Sequence, residues 1–216
     1  MNAELARRQM IEQQVRAWEV LDPAVLAVMS EIPRERFVPR DFRALAFSDT
    51  RIPLGHGQYM MTPTVEGRVL QALELDGSEK ILEIGTGSGF LTACLASLGA
   101  QVTSVEIFER LLKRARENLA DAGIDNIDLQ CLDATQGLPT GQFDAVVVTG
   151  STYHFDRLYV DALTTGGRLF VVVGDPPVMD ARRVRRTGDG NWSSESLFET
   201  ELAPLVNAAP SPAFRF

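Results

Sequence analysis

The sequence predicts an α/β protein built on a doubly wound, mostly parallel sheet, and three observations carry that expectation. An apolar strand at 80–84 runs directly into the glycine-rich turn Gly85-Thr86-Gly87-Ser88-Gly89 and then into a helical pattern. Downstream, strand and helix patterns alternate, which sets strands parallel with helices packed against the sheet. Two of the strands, Phe143-Asp144-Ala145-Val146-Val147-Val148 and Arg168-Leu169-Phe170-Val171-Val172-Val173, are near-continuous apolar runs, as strands buried on both faces require.

From the N-terminus, residues 3–19 place Met10, Ile11, Val15 and Trp18 at roughly helical spacing. Asp22-Pro23 opens a second helix, with Asp as N-cap and Pro at the first helical position, and Val25, Leu26 and Met29 form its apolar face. Pro33 and Pro39 bracket an irregular stretch, and 46–61 reads as a long loop without periodicity, a kind usually kept for function. Thr62-Pro63 repeats the cap signal before a helix whose buried face is Val65, Val69, Leu70 and Leu73. Strands are expected near 80–84, 101–105, 127–132, 143–148 and 168–173. After Gly174 the stretches 182–187 and 195–202, joined by Gly188-Asp189-Gly190-Asn191, read as a hairpin. The expectation is about seven strands, mostly parallel, with an antiparallel C-terminal hairpin and a preceding N-terminal helical segment. One domain spans 1–216: helices and a substrate loop over 1–62, a doubly wound core over 63–205 and a tail over 206–216.

Composition narrows the function. With 216 residues, 45% hydrophobic and 23% charged, the chain suits one globular core. A formal net charge of -8 argues against a broad nucleic-acid-binding face. The run Arg182-Arg183-Val184-Arg185-Arg186 is the exception, and on a strand it reads as a solvated or edge-protecting face. Cys94 and Cys131 alone suggest neither a disulfide framework nor a metal site, and both read as core thiols. No apolar N-terminal segment or membrane-length stretch is present, so a cytoplasmic protein without membrane contact is expected.

The glycine turn spaces its residues G-x-G-x-G, whereas a dinucleotide loop reads G-x-G-x-x-G, so the pattern points away from a pyrophosphate. Glu106 ends the next strand about 20 residues past the first glycine, where doubly wound folds place a carboxylate on ribose hydroxyls. Asp133 closes the strand after that. Either acid also has a capping reading, since a carboxylate just past a strand often satisfies backbone amides, and the turn by itself fits any nucleotide-binding α/β domain.

Together, Glu83-x-Gly85-x-Gly87-x-Gly89, Glu106 and Asp133 resemble a class I S-adenosylmethionine-dependent methyltransferase with a Rossmann-like fold. The segments Arg8-Gln9-Met10-Ile11-Glu12-Gln13-Gln14-Val15, Ile32-Pro33-Arg34-Glu35-Arg36-Phe37-Val38-Pro39, Ala46-Phe47-Ser48-Asp49 and Ile52-Pro53-Leu54-Gly55-His56-Gly57-Gln58 are similar, in that order, to the protein-L-isoaspartate O-methyltransferase family. The resemblance implies S-adenosyl-L-methionine as cofactor and S-adenosyl-L-homocysteine as product. It places Glu83, Gly85, Thr86, Gly87, Ser88 and Gly89 around the methionine part, Glu106 on ribose, Ile107 near adenine, and Asp133 and Ala134 at the adenine edge. The implied partner is an isoaspartyl-containing protein or peptide, or a small carboxylate.

Such a reaction needs no general base, because a carboxylate with a reference pKa of ~4 is already ionised near neutrality. Positioning is the protein's task. The resemblance sets Gln58, Met61 and Thr62 at the catalytic positions and Tyr59, Thr149 and Gly150 against the substrate. Two departures stand out. Where the family loop reads Gly-Gln-Thr-Ile-Ser-x-Pro, this chain has Gly57-Gln58-Tyr59-Met60-Met61-Thr62-Pro63, so a thioether replaces a hydroxyl and cannot donate a hydrogen bond. Thr62 could supply one, but it also reads as the N-cap. After the fourth strand, Thr149-Gly150-Ser151-Thr152-Tyr153-His154 is bulkier and more polar than the family's small residues. His56 reads as a ligand contact or as an ordinary loop histidine. Phe214 and Phe216 suggest docking on the same chain or on a second subunit, a homodimer in the latter case. Two other functions stay open: a paralogue methylating another small molecule or nucleotide, and a non-catalytic S-adenosylmethionine-binding module.

Overall fold

The computed structural model describes residues 3–208. Phe214 and Phe216, and with them the expected docking of the tail, lie outside the described residues. The N-terminal helix is not continuous: α1 (Ala3–Met10) passes into a π-helical turn (Ile11–Val15) and a 3-10 turn (Arg16–Trp18), ending at Glu19 with φ 63°. A π turn adds a residue to the helical repeat and rotates the turns beyond it. Met10, Ile11 and Val15 therefore stay buried while Trp18, expected on the same face, is half exposed.

Helix α2 (Pro23–Glu31) begins as its cap signal predicts, the Asp22 side chain accepting from the amides of Ala24 and Val25. Then come α3 (Arg34–Phe37) and a 3-10 turn, Arg40–Leu45. The loop expected over 46–61 contains a hairpin: β1 (Ile52–Gly55) pairs antiparallel with β2 (Gln58–Met60). Its tip, His56-Gly57, has φ of 53° and 71°, the positive pair that a two-residue hairpin turn needs. Thr62 caps α4 (Pro63–Ala72) by accepting from the Val65 amide.

The sheet core comprises β3 (Lys80–Ile84), α5 (Phe90–Leu98), β4 (Gln101–Glu106), α6 (Glu109–Asp121), β5 (Ile127–Cys131), β6 (Phe143–Thr152), α7 (Arg157–Asp161), β7 (Leu163–Val173), β8 (Met179–Gly188) and β9 (Asn191–Thr200). Seven strands lie in the order β5-β4-β3-β6-β7-β8-β9. The first five are parallel, and β8 and β9 are antiparallel, as the alternation and the hairpin pattern predict. The C-terminal hairpin starts earlier than its sequence pattern suggests, because β8 pairs with β7 from Asp180 onward and with β9 from Met179.

Alternate strand residues feed two cores. Ile81, Val102, Val147 and Phe170 pack with the N-terminal helices, α4 and α5. Leu82, Val146, Leu169 and Val171 pack on the other face with Tyr159 and Val160 of α7. Cys94 is buried, but Cys131 is exposed, a correction to its reading as a core thiol: β5 is the sheet's edge strand. The arginine run on β8 is paired, Arg183 with Glu74 and Glu195, Arg185 with Glu74 and Arg182 with Asp180. Among the described residues no helix is long and apolar enough to cross a membrane.

Candidate cofactor and acceptor cleft

Neighbours β4 and β6 flank β3 on opposite sides. The chain's winding therefore reverses there, and the carboxyl ends of β3 and β6 leave a crevice, the usual ligand site of an open parallel sheet. A single cleft occupies it, lined by the glycine turn, the ends of β4 and β5, the β1–β2 hairpin and residues 202–206.

The turn is held by main-chain bonds: the amides of Gly85 and Thr86 both donate to the Val105 carbonyl, at 2.8 and 3.2 Å. Gly85 has φ 98°, and a Cβ there would stand 2.2 Å from Thr149 Oγ1. Thr149 in turn lies 2.9 Å from the Ile84 carbonyl and 2.8 Å from that of Gly85. The first glycine thus serves a close approach of β6 to the turn as well as an open ligand face.

Two of the carboxyl groups lining this cleft, those of Glu83 and Glu106, have different surroundings. Glu83 is fully buried, and its Oε2 accepts from Thr92 and Ser104 hydroxyls at 2.5 Å each. Burial pushes its pKa up to about 8 against those hydrogen bonds. Its other oxygen, Oε1, has no hydrogen-bond partner among the described residues. Glu106 accepts from the Gly87 amide and the Phe108 amide, each at 3.0 Å, so each oxygen keeps a lone pair free.

Asp133 follows its capping reading. Its Oδ1 accepts from the amide and hydroxyl of Thr135 and its Oδ2 from Asn207. Although desolvation opposes it, those bonds hold the carboxyl below its ordinary value. Asp133 still lines the cleft beside Ile107 and Ala134.

Of the residues expected to hold the cofactor, Glu83, Gly85, Thr86, Gly87, Ser88 and Glu106 line the cleft. Gln58, Tyr59, Met61, Thr149 and Gly150 line it as well. Gly89 does not; it is the N-cap of α5, with φ 86°, and faces Ala115 and Leu119 of α6. Thr62 does not either. Its hydroxyl caps α4, lies 2.9 Å from that of Thr64, and borders a separate depression with Trp18 and Phe198. Capping uses its oxygen as an acceptor, and its proton goes to Thr64, whose own hydroxyl donates to Asp49.

His56 stacks on Phe108, ring centroids 4.5 Å apart, so the hairpin tip is braced against the entry to α6. Tyr59 is half exposed at the mouth, its ring 6.0 Å from the Arg51 guanidinium. Met61 is buried.

The sequence carries no signal for one wall. Residues 202–206 cross the ends of the strands, fixed by Ser151 to Ala203 and Leu205 to Ser151 main-chain bonds of 2.9 and 2.8 Å. Gly150 permits the crossing, since a Cβ there would meet Leu205 at 2.9 Å. Glu66, a turn into α4, also lines the cleft; its place in an apolar helical repeat marks nothing by itself.

Fold and cleft together define a doubly wound α/β protein with a nucleoside-type site at the switch point of its sheet. The chain belongs to the protein-L-isoaspartate(D-aspartate) O-methyltransferase (PCMT) family, whose model matches residues 5–209. Protein-L-isoaspartate O-methyltransferase 1 of Rhodopseudomonas palustris (strain HaA2) is 37% identical over 214 residues, covering 95% of this chain and 87% of the relative. The protein-L-isoaspartate O-methyltransferase of Methanoculleus marisnigri is 41% identical over 184 residues, 84% of each chain. Among solved structures, a Plasmodium falciparum protein described as a protein-L-isoaspartate O-methyltransferase, in complex with S-adenosyl-L-homocysteine, superposes with TM-score 0.79. It is 20% identical and covers 92% of this chain and 97% of that one; at that identity the likeness shows the fold.

Proposed function

We propose that this protein is an S-adenosylmethionine-dependent O-methyltransferase acting on the side-chain carboxylate of isoaspartyl residues in proteins and peptides. Family membership across residues 5–209 carries the reading, and the cleft is chemically suited to it. An unpartnered carboxylate oxygen on Glu83 and the free lone pairs of Glu106 fit the donors of an amino acid and a ribose. Ile107, Phe108 and Leu132 offer an apolar wall for a purine. S-adenosylmethionine, when bound, supplies an electrophilic methyl group.

The chain's own residues do the positioning. Acceptor carboxylates are ionised near neutrality, and no base is needed to activate them. Leu54, Met60 and Met61 wall the acceptor side and exclude water, which strengthens electrostatic interactions inside. Met61 offers no hydroxyl to the acceptor, and this favours a second reading in which a different carboxylate or small molecule is methylated.

Radiolabelled methyl transfer to an isoaspartyl peptide, run beside its aspartyl twin, decides between them. Label in the isoaspartyl peptide alone is the expected result. Absence of label in both, with S-adenosylhomocysteine still bound, sinks isoaspartyl specificity and leaves the second reading.

A further inference from the structure

Directly beneath Met61 lies a buried ion pair that methyl transfer as described leaves without a role. Arg34, at the start of α3, is fully buried. Its Nη2 donates to the Met61 carbonyl at 2.8 Å and to Glu66 Oε1 at 3.2 Å, and its guanidinium sits 5.1 Å from the Phe90 ring centroid. Glu66 Oε2 lies 3.1 Å from the same nitrogen. Arg34 Nε and Nη1 have no hydrogen-bond partner among the described residues.

Those contacts join two residues of the cleft to the helix that follows the glycine turn. Met61 lies between β2 and α4 on the acceptor wall, Glu66 is in α4, and Phe90 opens α5 directly after the glycine turn. We propose that Arg34 is a positioning residue for methyl transfer: paired with Glu66, it holds the Met61 main chain in register with the glycine turn, and so sets the acceptor wall against the donor site. This rests on the proposed activity.

Stability alone is a poor reason for such a pair. Removing two charges from water costs several kcal/mol per ion, and apolar replacement of a buried pair is often neutral or stabilising. Here two guanidinium nitrogens remain unsatisfied as well. What the pair does supply is directional: one nitrogen of a planar guanidinium, Nη2, bonds the Met61 carbonyl and the Glu66 carboxylate together. In a displacement that depends on alignment, a 1 Å error in the acceptor wall costs about 10²-fold in rate.

Arg34→Leu alone leaves Glu66 buried without its cation and is liable to unfold, so the informative variant is Arg34→Leu with Glu66→Leu. We expect it to melt at or above the native temperature and to bind S-adenosylhomocysteine within about threefold by calorimetry. Its kcat should fall ~10- to 100-fold with a smaller change in KM. In protein carrying 13C-methyl methionine and saturated with S-adenosylhomocysteine, the Met61 resonance should shift or broaden. Arg34→Lys, which keeps the charge but loses the planar guanidinium over Phe90, should fall between the two in kcat. Native kcat in the double variant overturns the proposal, as does a loss of S-adenosylhomocysteine affinity as large as the loss of kcat. If the native protein transfers no methyl to an isoaspartyl peptide, the substrate reading fails, and the Met61 resonance alone decides: unchanged, it overturns the positioning role.

Discussion

The Gly87 amide donates to Glu106 Oε2 at 3.0 Å, tying the end of β4 to the middle of the glycine turn. A second amide, from Phe108, holds Oε1. The carboxylate is thereby preorganised, with one lone pair per oxygen aimed away from its own backbone. Replacing Glu106 with Ala removes the proposed acceptor for ligand hydroxyls and releases the turn. Hydrogen bonds to charged groups are worth about 1.5–3 kcal/mol, so S-adenosylhomocysteine should bind ~10- to 100-fold more weakly in calorimetry. Affinity within threefold of native would remove Glu106 from the site.

Gly85→Ala tests the approach of β6 to the turn. At φ 98° an L-residue is strained, and its Cβ would meet Thr149 Oγ1. Urea denaturation should show a loss of ~1–3 kcal/mol. Adding Thr149→Ala removes the clash but not the backbone strain, so the double variant should recover only part of the loss. Full recovery would mean that contact alone, and not φ, requires glycine there.

Glu83 predicts a pH dependence. Its folded pKa is raised from 4.5 to about 8, chiefly by burial. Between those values the folded state binds more protons than the unfolded state, so stability falls as pH rises. The contribution is fully present below the unfolded value and is lost as pH climbs through the folded one. Glu83→Gln keeps an acceptor for Thr92 and Ser104 and does not titrate. Relative to native, its stability should therefore gain on the order of a few kcal/mol between pH 5 and pH 8. Melting curves that stay parallel across that range would contradict it.

Met61→Ser restores a hydroxyl where the family's loop carries one. Transfer to an isoaspartyl peptide should rise by about 10-fold if that hydroxyl acts in the transition state. Because Met61 is buried, truncation should also cost ~2–5 kcal/mol of stability. A folded variant with no gain in rate would place acceptor recognition elsewhere in the cleft.

Much of this site is legible in sequence because its donor side is local. A strand, a turn and a helix entry are consecutive, and Glu106 ends its strand while Asp133 follows two residues after its own. The acceptor side is less legible. The hairpin of β1 and β2 passes for a loop because its strands are short, four and three residues, too brief for alternation to register, although Gly55-His56-Gly57 is a turn signal. Thr62 carries two compatible readings, and they are separated only by its place outside the cleft and by its hydrogen bond to Thr64, whose hydroxyl donates to Asp49.

By itself, then, the sequence determined the sheet, its parallel and antiparallel members and the glycine turn, since these follow from the period of apolar residues and from backbone freedom at short range. Tertiary structure decided what depends on pairing distant segments. Asp133 is engaged by Asn207, 74 residues on, residues 202–206 cross the cleft over Gly150, and Arg34 reaches Met61 and Glu66 from a different helix. Those contacts have no periodicity to betray them. They arise because a buried polar group must find a partner wherever the packed chain brings one.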